Sequence, residues 1–307
     1  MAADREIIPS QSAISRCPCP GPCYRGDCPD SAPVSCLRYN NNGERKLGAN
    51  SMVRVFITGS ADGLGLMEAR LLVSQGHQVV LHGRNRDRAN EALSKVPGAL
   101  SAVAGDLASI AETKSLADRV NELGPFDAVI HNAGIYLVPH VARTVDGLPQ
   151  IFAVNSLAPY ILTCLIRRPK RLVYTSSGLH RSGDAGLNDL TSSSQTGGGS
   201  NSYADSKLHN VILAFAVARK WPDVLSNAVD PGWAATKMGG RGAPVSVEEG
   251  ARTQVWLAAS QDKEVLVSGR YFHHLQPGSC HPAAADPAVQ EKYLSECGRM
   301  SGIAFPE

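Results

Sequence analysis

The sequence lacks a long apolar run and an excess of charge of either sign. No apolar stretch reaches the roughly 20 residues that a membrane-spanning helix needs. The first residues, Met1 to Gln11, lack the basic-then-apolar order of a secretory signal. With 30 Lys and Arg against 28 Asp and Glu, the formal net charge of +2 indicates neither a nucleic-acid nor an anionic-lipid partner. We therefore expect a cytoplasmic protein with no membrane span and no nucleic-acid partner.

Cysteines at metal-binding spacing are also lacking. Five of the eight cysteines crowd the first forty residues without forming two well-spaced C-x-x-C pairs. A zinc site or a disulfide knot is the weaker interpretation, because the following stretch, RYNNNGERKLGANS, is polar and aperiodic. We expect a disordered, Cys- and Pro-rich extension over residues 1–51 and no metal. Near the other end, four residues match no metal signature either: His273, His274, Cys280 and His281.

Short apolar runs alternate with segments of helical periodicity through the rest of the chain. Seven strands are predicted, at VRVFIT, HQVVLHGRN, ALSAVAGDL, FDAVIHNAGI, RLVYTSSG, VLSNAVDPGW and SGRYFHH. This alternation predicts a single α/β domain over residues 52–307, with a doubly wound parallel sheet of about seven strands flanked by helices and a C-terminal tail over 275–307. Ligands bind such sheets at the carboxyl ends of the strands, so the loops there are candidate site residues.

Three glycines follow the first predicted strand within the stretch FITGSADGLG, Phe56 to Gly65. Glycine permits positive φ and a close approach of other groups to the backbone. The helix that follows presents unpaired N–H groups and the positive end of its dipole, which suits an anion such as a pyrophosphate. The alternative is a tight loop without a ligand. The candidate binding residues of this turn are Thr58, Gly59, Ser60, Asp62, Gly63, Leu64 and Gly65.

A tyrosine and a lysine stand four residues apart in YADSK, within a long predicted helix. This spacing puts Tyr203 and Lys207 on one helix face, and a nearby ammonium favours the phenolate. We expect the pKa of Tyr203 to be lowered toward the working range, so that its hydroxyl exchanges a proton with a carbonyl or an alcohol. A surface pair without chemistry is the alternative. In YTSSG, Ser176 or Ser177 can stabilise charge on the substrate oxygen, and only one of them can face it.

These motifs occur in one order that resembles the short-chain dehydrogenase/reductase family over roughly residues 52 to 275. They are TGSADGLG, NAG, FAVNS, YTSSG, YADSK and DPGW. The segments SSGLH and VDPGWAATKMGG are similar to retinol-dehydrogenase-like and antibiotic-ketoreductase-like members. The resemblance implies a Rossmann-type NAD(P)-binding domain. It also implies a catalytic set of Asn155, Ser177, Tyr203 and Lys207, in which Asn155 holds a water for proton relay. An asparagine satisfied by local backbone remains the alternative for Asn155.

The resemblance assigns further residues to the nicotinamide cofactor. Lys207 would bind the nicotinamide ribose, Asp106 the adenine and Thr236 the carboxamide. Asp106 is equally well explained as a helix N-cap, and the PGW segment as a simple turn. Besides the glycine turn, the implied cofactor-binding residues are Arg84, Asp106, Leu107, Asn132, Ala133, Gly134, Tyr203, Lys207, Pro231, Gly232, Trp233 and Thr236.

The residue after the second predicted strand bears on the choice of nicotinamide. An acidic side chain there would accept hydrogen bonds from the ribose 2′-OH and favour NAD. The sequence HGRN instead supplies Arg84, whose guanidinium can pair with a 2′-phosphate. Asp62 in the glycine turn opposes this, because its charge lies near the phosphate. We expect NADP(H) to be preferred, with NAD(H) left open.

The segment from Lys237 to Gly250 is glycine-rich and, by resemblance, forms a substrate lid. With Trp233 and Met238 nearby, an apolar pocket for a small hydrophobic ketone, aldehyde or alcohol is expected. Two other hypotheses remain: a non-catalytic dinucleotide-binding sensor or scaffold with this fold, and a sugar-nucleotide epimerase. The TGxxxGxG spacing disfavours the epimerase. The resemblance allows a homodimer through the Tyr203 helix, although relatives with long inserts are often monomers.

Overall fold

A computed structural model of the chain describes residues 52–136, 143–187, 190 and 200–307, with side chains in the last range described from Tyr203 onward. The extension expected over residues 1–51 lies outside the described residues, as do residues 188–189 and 191–199 between Ser177 and Tyr203. Residues 50–307 form one compact unit. In the part of the chain that the structure describes, no helix is long and apolar enough to cross a membrane.

The central element is an eight-stranded sheet with the strand order β3-β2-β1-β4-β5-β6-β7-β8. Strands β1 to β7 are parallel, and β8 pairs antiparallel with β7. The strands are β1 Arg54–Ile57, β2 Gln78–Gly83, β3 Ser101–Ala104, β4 Ala128–His131, β5 Arg171–Thr175, β6 Leu225–Asp230, β7 Arg270–His273 and β8 Gln276–Gly278.

Helices cover both faces of this sheet. They are α1 Gly63–Ser74, α2 Arg86–Lys95, α3 Ile110–Glu122, α4 Gln150–Phe152, α5 Ala158–Leu165, α6 Ser200–Lys220, α7 Val247–Ala259 and α8 Pro287–Ser301. Successive residues of β1 enter different cores, because Phe56 packs in one buried cluster while Val55 and Ile57 pack in the other. Burial on both faces explains why the strands are continuously apolar rather than alternating. The predicted doubly wound α/β fold is confirmed.

The eighth strand and the C-terminal residues differ from the expectation. Strand β8 returns from β7 through His274 and Leu275, whose φ values of 45° and 63° are left-handed. Neither residue is a glycine or an asparagine, so the usual sequence signal of such a hairpin was missing. The segment expected as a tail contains β8 and α8, and Tyr293 and Cys297 of α8 are fully buried in the core.

The strand order places the candidate residues at one edge of the sheet. The order reverses at β1, which has β2 on one side and β4 on the other. The glycine turn follows β1, and the NAG segment follows β4. Next along the sheet, β5 and β6 end beside each other at Thr175 and Asp230. The carboxyl edge at this switch point is where doubly wound sheets bind their ligands.

Candidate active site

The glycines of the first turn allow it to pack closely against the segment after β4. Gly59 and Gly63 have φ values of 65° and 56°. A Cβ atom on Gly59 would lie 2.9 Å from Ala133 Cα, and one on Gly65 would lie 2.4 Å from Asn132 Nδ2. The turn therefore needs glycine for its conformation at two positions and for close backbone packing at Gly65.

His82, in β2, fixes this turn from beneath. Its Nδ1 accepts a hydrogen bond from the Gly59 N–H at 2.9 Å, and its Nε2 donates to the Gly105 carbonyl at 2.9 Å. Burial lowers the pKa of His82 to about 4, so the ring is neutral and carries its proton on Nε2. His82 thereby joins the ends of β1, β2 and β3. No sequence motif indicated a role for this residue.

Asp62 precedes α1 but makes no side-chain hydrogen bond to its first turn. The first N–H groups of this helix thus remain available to an anion. Asp62 accepts instead from Arg88 Nη2 at 2.6 Å and from Lys237 Nζ at 3.2 Å. Burial acts to raise the pKa of Asp62, but Lys237 and Arg88 outweigh it and hold that pKa below its ordinary value. The negative charge that counted against NADP is therefore paired with two cations.

A cavity of about 660 Å³ lies above these groups. Most of the expected cofactor residues line it: Gly59, Asp62, Gly63, Leu64, Arg84, Asp106, Leu107, Asn132, Ala133, Gly134, Tyr203, Lys207, Pro231 and Thr236. This cavity fits a dinucleotide, because it extends along the strand ends and offers the unpaired N–H groups of α1 and cationic side chains. Arg88 and Lys237 also line it, although neither is among the cofactor-binding residues that the resemblance implies.

Five of the expected cofactor residues are not in that lining. Thr58 and Ser60 are buried and support the turn, because Thr58 Oγ1 accepts from the Ala133 N–H at 3.0 Å and Ser60 Oγ accepts from the His82 N–H at 2.8 Å. Gly65 packs against Asn132. The remaining two, Gly232 and Trp233, line a neighbouring cavity of about 470 Å³.

Tyr203 and Lys207 lie on one face of α6, directed toward the ends of β4 and β5. Lys207 Nζ donates to the Thr175 carbonyl at 3.0 Å and lies 5.4 Å from the centre of the Tyr203 ring. A Cβ atom on Gly134 would lie 3.2 Å from that same Nζ. The NAG segment therefore leaves the lysine amine uncovered on the cofactor side.

The pKa values of this pair differ from the expectation. Burial, with additional contributions from Asp230 and Tyr136, raises the pKa of Tyr203 to about 12, and the nearby Ser177 hydroxyl lowers this pKa only in part. Burial lowers the pKa of Lys207 to about 8. The predicted lowering of the tyrosine pKa was thus wrong. Spacing on a helix revealed the ammonium but not the burial of the phenol.

Asn155 lies in a π-helical turn, Ala153–Leu157, between α4 and α5. Its Oδ1 accepts from the Ile135 N–H at 2.8 Å, and its Nδ2 donates to the Ile135 carbonyl at 2.9 Å and to Ser206 Oγ at 3.0 Å. The side chain thus fixes the segment after β4 to α6. Local π-helical geometry is often found at functional sites.

The two serines after β5 have different surroundings. Ser176 is buried, and its Oγ donates to the Lys207 carbonyl at 2.9 Å. Ser177 caps the short helical turn Gly178–Ser182, and its Oγ accepts from the Leu179 N–H at 3.3 Å. Ser177, not Ser176, lines the 470 Å³ cavity. The hydroxyl of Ser177 is therefore the one that a substrate in this cavity would meet.

The 470 Å³ cavity contains Met238, as expected, and also Tyr136, Asp230 and His273, for which no role at the site was predicted. Tyr136 packs against Tyr203 with ring centres 4.6 Å apart, and Met238 Sδ lies 3.9 Å from the Tyr203 hydroxyl. Asp230 and His273, at the ends of β6 and β7, line the same cavity. Only their position at a strand end could have indicated them, because strand register decides which end residues meet.

Comparisons with known proteins agree with this geometry. The profile of the short chain dehydrogenase family matches residues 53–180. An uncharacterized oxidoreductase of Emericella nidulans is 47% identical over 260 residues, covering 83% of this chain and 99% of that protein. Retinol dehydrogenase 14 of Homo sapiens is 32% identical over 292 residues, covering 81% of this chain and 86% of that protein. A crystal structure of an uncharacterized protein from Mycobacterium Paratuberculosis superimposes with a TM-score of 0.73 at 28% identity, covering 83% of this chain and 95% of that one.

The fold and the relatives define a Rossmann-type, nucleotide-binding oxidoreductase that acts on CH–OH or carbonyl groups. The chain belongs to the short-chain dehydrogenase/reductase family. The resemblance drawn from its motifs is confirmed, including the similarity to retinol dehydrogenases.

Proposed function

We propose that the protein is an NADP(H)-dependent oxidoreductase that interconverts a carbonyl and an alcohol on a small hydrophobic substrate. The main support for this proposal is that Tyr203 lines both cavities. The 660 Å³ cavity supplies free helix amides and cations for a dinucleotide, and the 470 Å³ cavity is largely apolar. A phenol between them can meet a substrate oxygen beside a bound nicotinamide.

A bound nicotinamide supplies or accepts the hydride. Tyr203 gives a proton to the carbonyl oxygen, because its raised pKa keeps the hydroxyl protonated at neutral pH. Ser177 donates a hydrogen bond to the same oxygen and stabilises its developing charge. Lys207, held by the Thr175 carbonyl, places its ammonium beside the phenol and the cofactor ribose. Asn155 positions the segment that carries Ile135 against α6.

The preference for NADP(H) rests on the cations around the end of β2. Arg84 is exposed and lines the cofactor cavity, where Arg88 and Lys237 neutralise Asp62. This arrangement presents the Arg84 guanidinium to a 2′-phosphate and pairs the Asp62 carboxylate with two cations. Equal use of NAD(H) and NADP(H) by the enzyme would contradict the proposed preference for NADP(H).

The test is NADPH consumption with a panel of apolar ketones, aldehydes and quinones, using the wild-type protein and Tyr203→Phe. We expect turnover in the wild type and a loss of at least about a hundredfold in the variant, because general acid catalysis contributes roughly 10²–10⁴-fold. Activity that survives in Tyr203→Phe would dismiss the proposed acid. NADPH binding without turnover of any carbonyl would favour the sensor or scaffold.

A homodimer through the Tyr203 helix would require α6 to be free on its outer side. Instead α8 packs along it, with Arg219 donating to Gln290 Oε1 at 2.7 Å and to Glu291 Oε1 at 2.5 Å. We therefore propose that the catalytic unit is a monomer. Light scattering of the purified chain checks this, and a dimer mass at micromolar concentration would contradict it.

A further inference from the structure

Asp230 is a carboxylate inside the cavity that we assign to the substrate. It ends β6, opposite His273 of β7 in the strand register. Its side chain is only 11% exposed, and it lines the 470 Å³ cavity together with Ser177 and Tyr203. Burying a carboxylate in this way costs desolvation free energy unless hydrogen-bond donors surround it.

The donors that the protein itself provides leave part of this carboxylate open. Oδ1 accepts from the Gly232 N–H at 2.9 Å. Oδ2 lies 3.4 Å from Nδ1 of the half-exposed His273. The hydroxyl of buried Tyr271 also lies close to this carboxylate, and burial first and Asp230 second raise the pKa of that hydroxyl. An ionised carboxylate offers about four acceptor positions, so capacity remains toward the cavity.

The two neighbouring cationic side chains donate hydrogen bonds to backbone carbonyls and not to the Asp230 carboxylate. Lys207 Nζ donates to the Thr175 carbonyl at 3.0 Å, and Arg181 Nη2 donates to the Ser279 carbonyl at 2.8 Å. Gly178 keeps Asp230 Oδ2 accessible from the cavity, because a Cβ atom at position 178 would lie 3.2 Å from this oxygen. The absence of that side chain leaves Oδ2 uncovered beside Ser177.

The exposed side chains at the cavity mouth are apolar. Leu179, Trp233 and Met238 line it and are 47%, 60% and 44% exposed. A carboxylate within apolar walls selects for a substrate with a matching polar group, because a site built around one hydrogen bond rejects analogues that lack it.

We propose that Asp230 binds a hydrogen-bond donor of the substrate, a hydroxyl or an amino group, while a carbonyl of the same molecule lies at Tyr203 and Ser177. The inference rests on the proposed carbonyl–alcohol chemistry and narrows its substrate class to apolar carbonyl compounds that carry such a donor. The apolar remainder of the molecule contacts Leu179, Trp233 and Met238.

The experiment compares three aryl ketones of matched size: an unsubstituted one, its hydroxyl derivative and its amino derivative. The ratio of kcat/KM for each derivative to that of the plain ketone is measured with NADPH. In the wild type we expect a ratio of at least about ten for one derivative, as a hydrogen bond to a charged group implies. The derivative with the larger ratio identifies the donor as hydroxyl or amine. A wild-type ratio near one for both would overturn the proposal.

Asp230→Asn tests the role of the carboxylate, because its amide oxygen can still accept from the Gly232 N–H while its NH₂ group cannot accept from a substrate. We expect the ratio to fall to about one in this variant. Asp223→Asn is the matched control, since it removes a negative charge before the other end of the same strand, at a residue paired with Arg168. It should keep the wild-type ratio. An unchanged ratio in Asp230→Asn would also overturn the proposal.

A second variant and a binding measurement separate this inference from the proposed function. Gly178→Ala covers Oδ2 without removing any charge, and it should lower the ratio as well. Calorimetric dissociation constants for the same ketones need no turnover. If no ketone is reduced, the proposed function fails. The subsite is still supported in that case if the wild type binds a hydroxyl or amino derivative more tightly than the plain ketone and Asp230→Asn does not. Turnover without any preference, in kcat/KM or in binding, would reject the subsite and leave the function standing.

Discussion

His180 Nδ1 donates a hydrogen bond to the Ser177 carbonyl at 2.7 Å. The same ring accepts from the His281 N–H through Nε2 at 3.1 Å and packs on Tyr271 with ring centres 4.6 Å apart. Burial lowers the pKa of His180, which keeps the ring neutral with its proton on Nδ1. The backbone of Ser177 is thus held by a residue that is itself fixed to the segment between β8 and α8.

This relationship predicts that His180 positions Ser177. In His180→Phe the ring still packs on Tyr271 but gives no donor, and we expect kcat to fall by about tenfold with NADPH affinity unchanged. Asn has a donor at the position of Nδ1, so His180→Asn should recover most of kcat. Steady-state kinetics and NADPH titration of both variants provide the check. Equal losses in the two variants, or weaker NADPH binding in either, would assign His180 a general structural role instead.

The assignment of Arg84 predicts a selective change in cofactor use. Arg84→Asp places a carboxylate where the 2′-phosphate would bind, so KM for NADPH should rise by at least about tenfold, while KM for NADH changes little. Arg86→Asp is the control, because Arg86 is exposed on the first turn of α2 outside the cavity lining. Equal effects of Arg84→Asp on both cofactors would overturn the preference for NADP(H).

Glu68 predicts a pH dependence of stability. It is fully buried where α1 packs on α7, and burial raises its pKa to about 8, which Gln254 lowers only in part. Between about pH 4.5 and pH 8 the folded state keeps a proton that the unfolded state releases, so this contribution to stability is lost as the pH rises. Glu68→Gln cannot ionise. It should match the wild type near pH 4.5 and exceed it by several kcal/mol in unfolding free energy above pH 8.

Denaturant unfolding at pH 5 and pH 9 measures this difference. Glu122→Gln serves as a control, because Glu122 is exposed at the end of α3. It should leave the pH dependence of stability as in the wild type. A stability gain from Glu68→Gln that is the same at both pH values would contradict the buried, protonated carboxyl.

Local patterns predicted much of this architecture. Continuous apolar strands alternating with amphipathic helices can form few arrangements other than a parallel doubly wound sheet, which is why the fold was predicted correctly. The glycine turn was recognisable because its conformation and its packing on Asn132 both require missing side chains.

The missed features depend on three-dimensional neighbours. His82 acts through Gly59 and Gly105, which are distant from it in sequence. Asp230 becomes a cavity residue only because β6 ends beside Gly178 and His273. The predicted direction of the Tyr203 pKa shift was wrong for the same reason. Helical spacing reveals Lys207, but it reveals neither the burial of the phenol nor the nearby Asp230.

The central claim is that the Tyr203 hydroxyl gives its proton to a substrate carbonyl beside bound NADPH. The most direct measurement is the single-turnover rate of NADPH oxidation with a reducible ketone, in Tyr203→Phe and in the matched variant Tyr136→Phe, which loses the hydroxyl of the neighbouring ring. Both variants should bind NADPH like the wild type. Only Tyr203→Phe should lose the rate, by at least about a hundredfold. A Tyr203→Phe rate within about threefold of the wild type, with NADPH bound, would contradict the account.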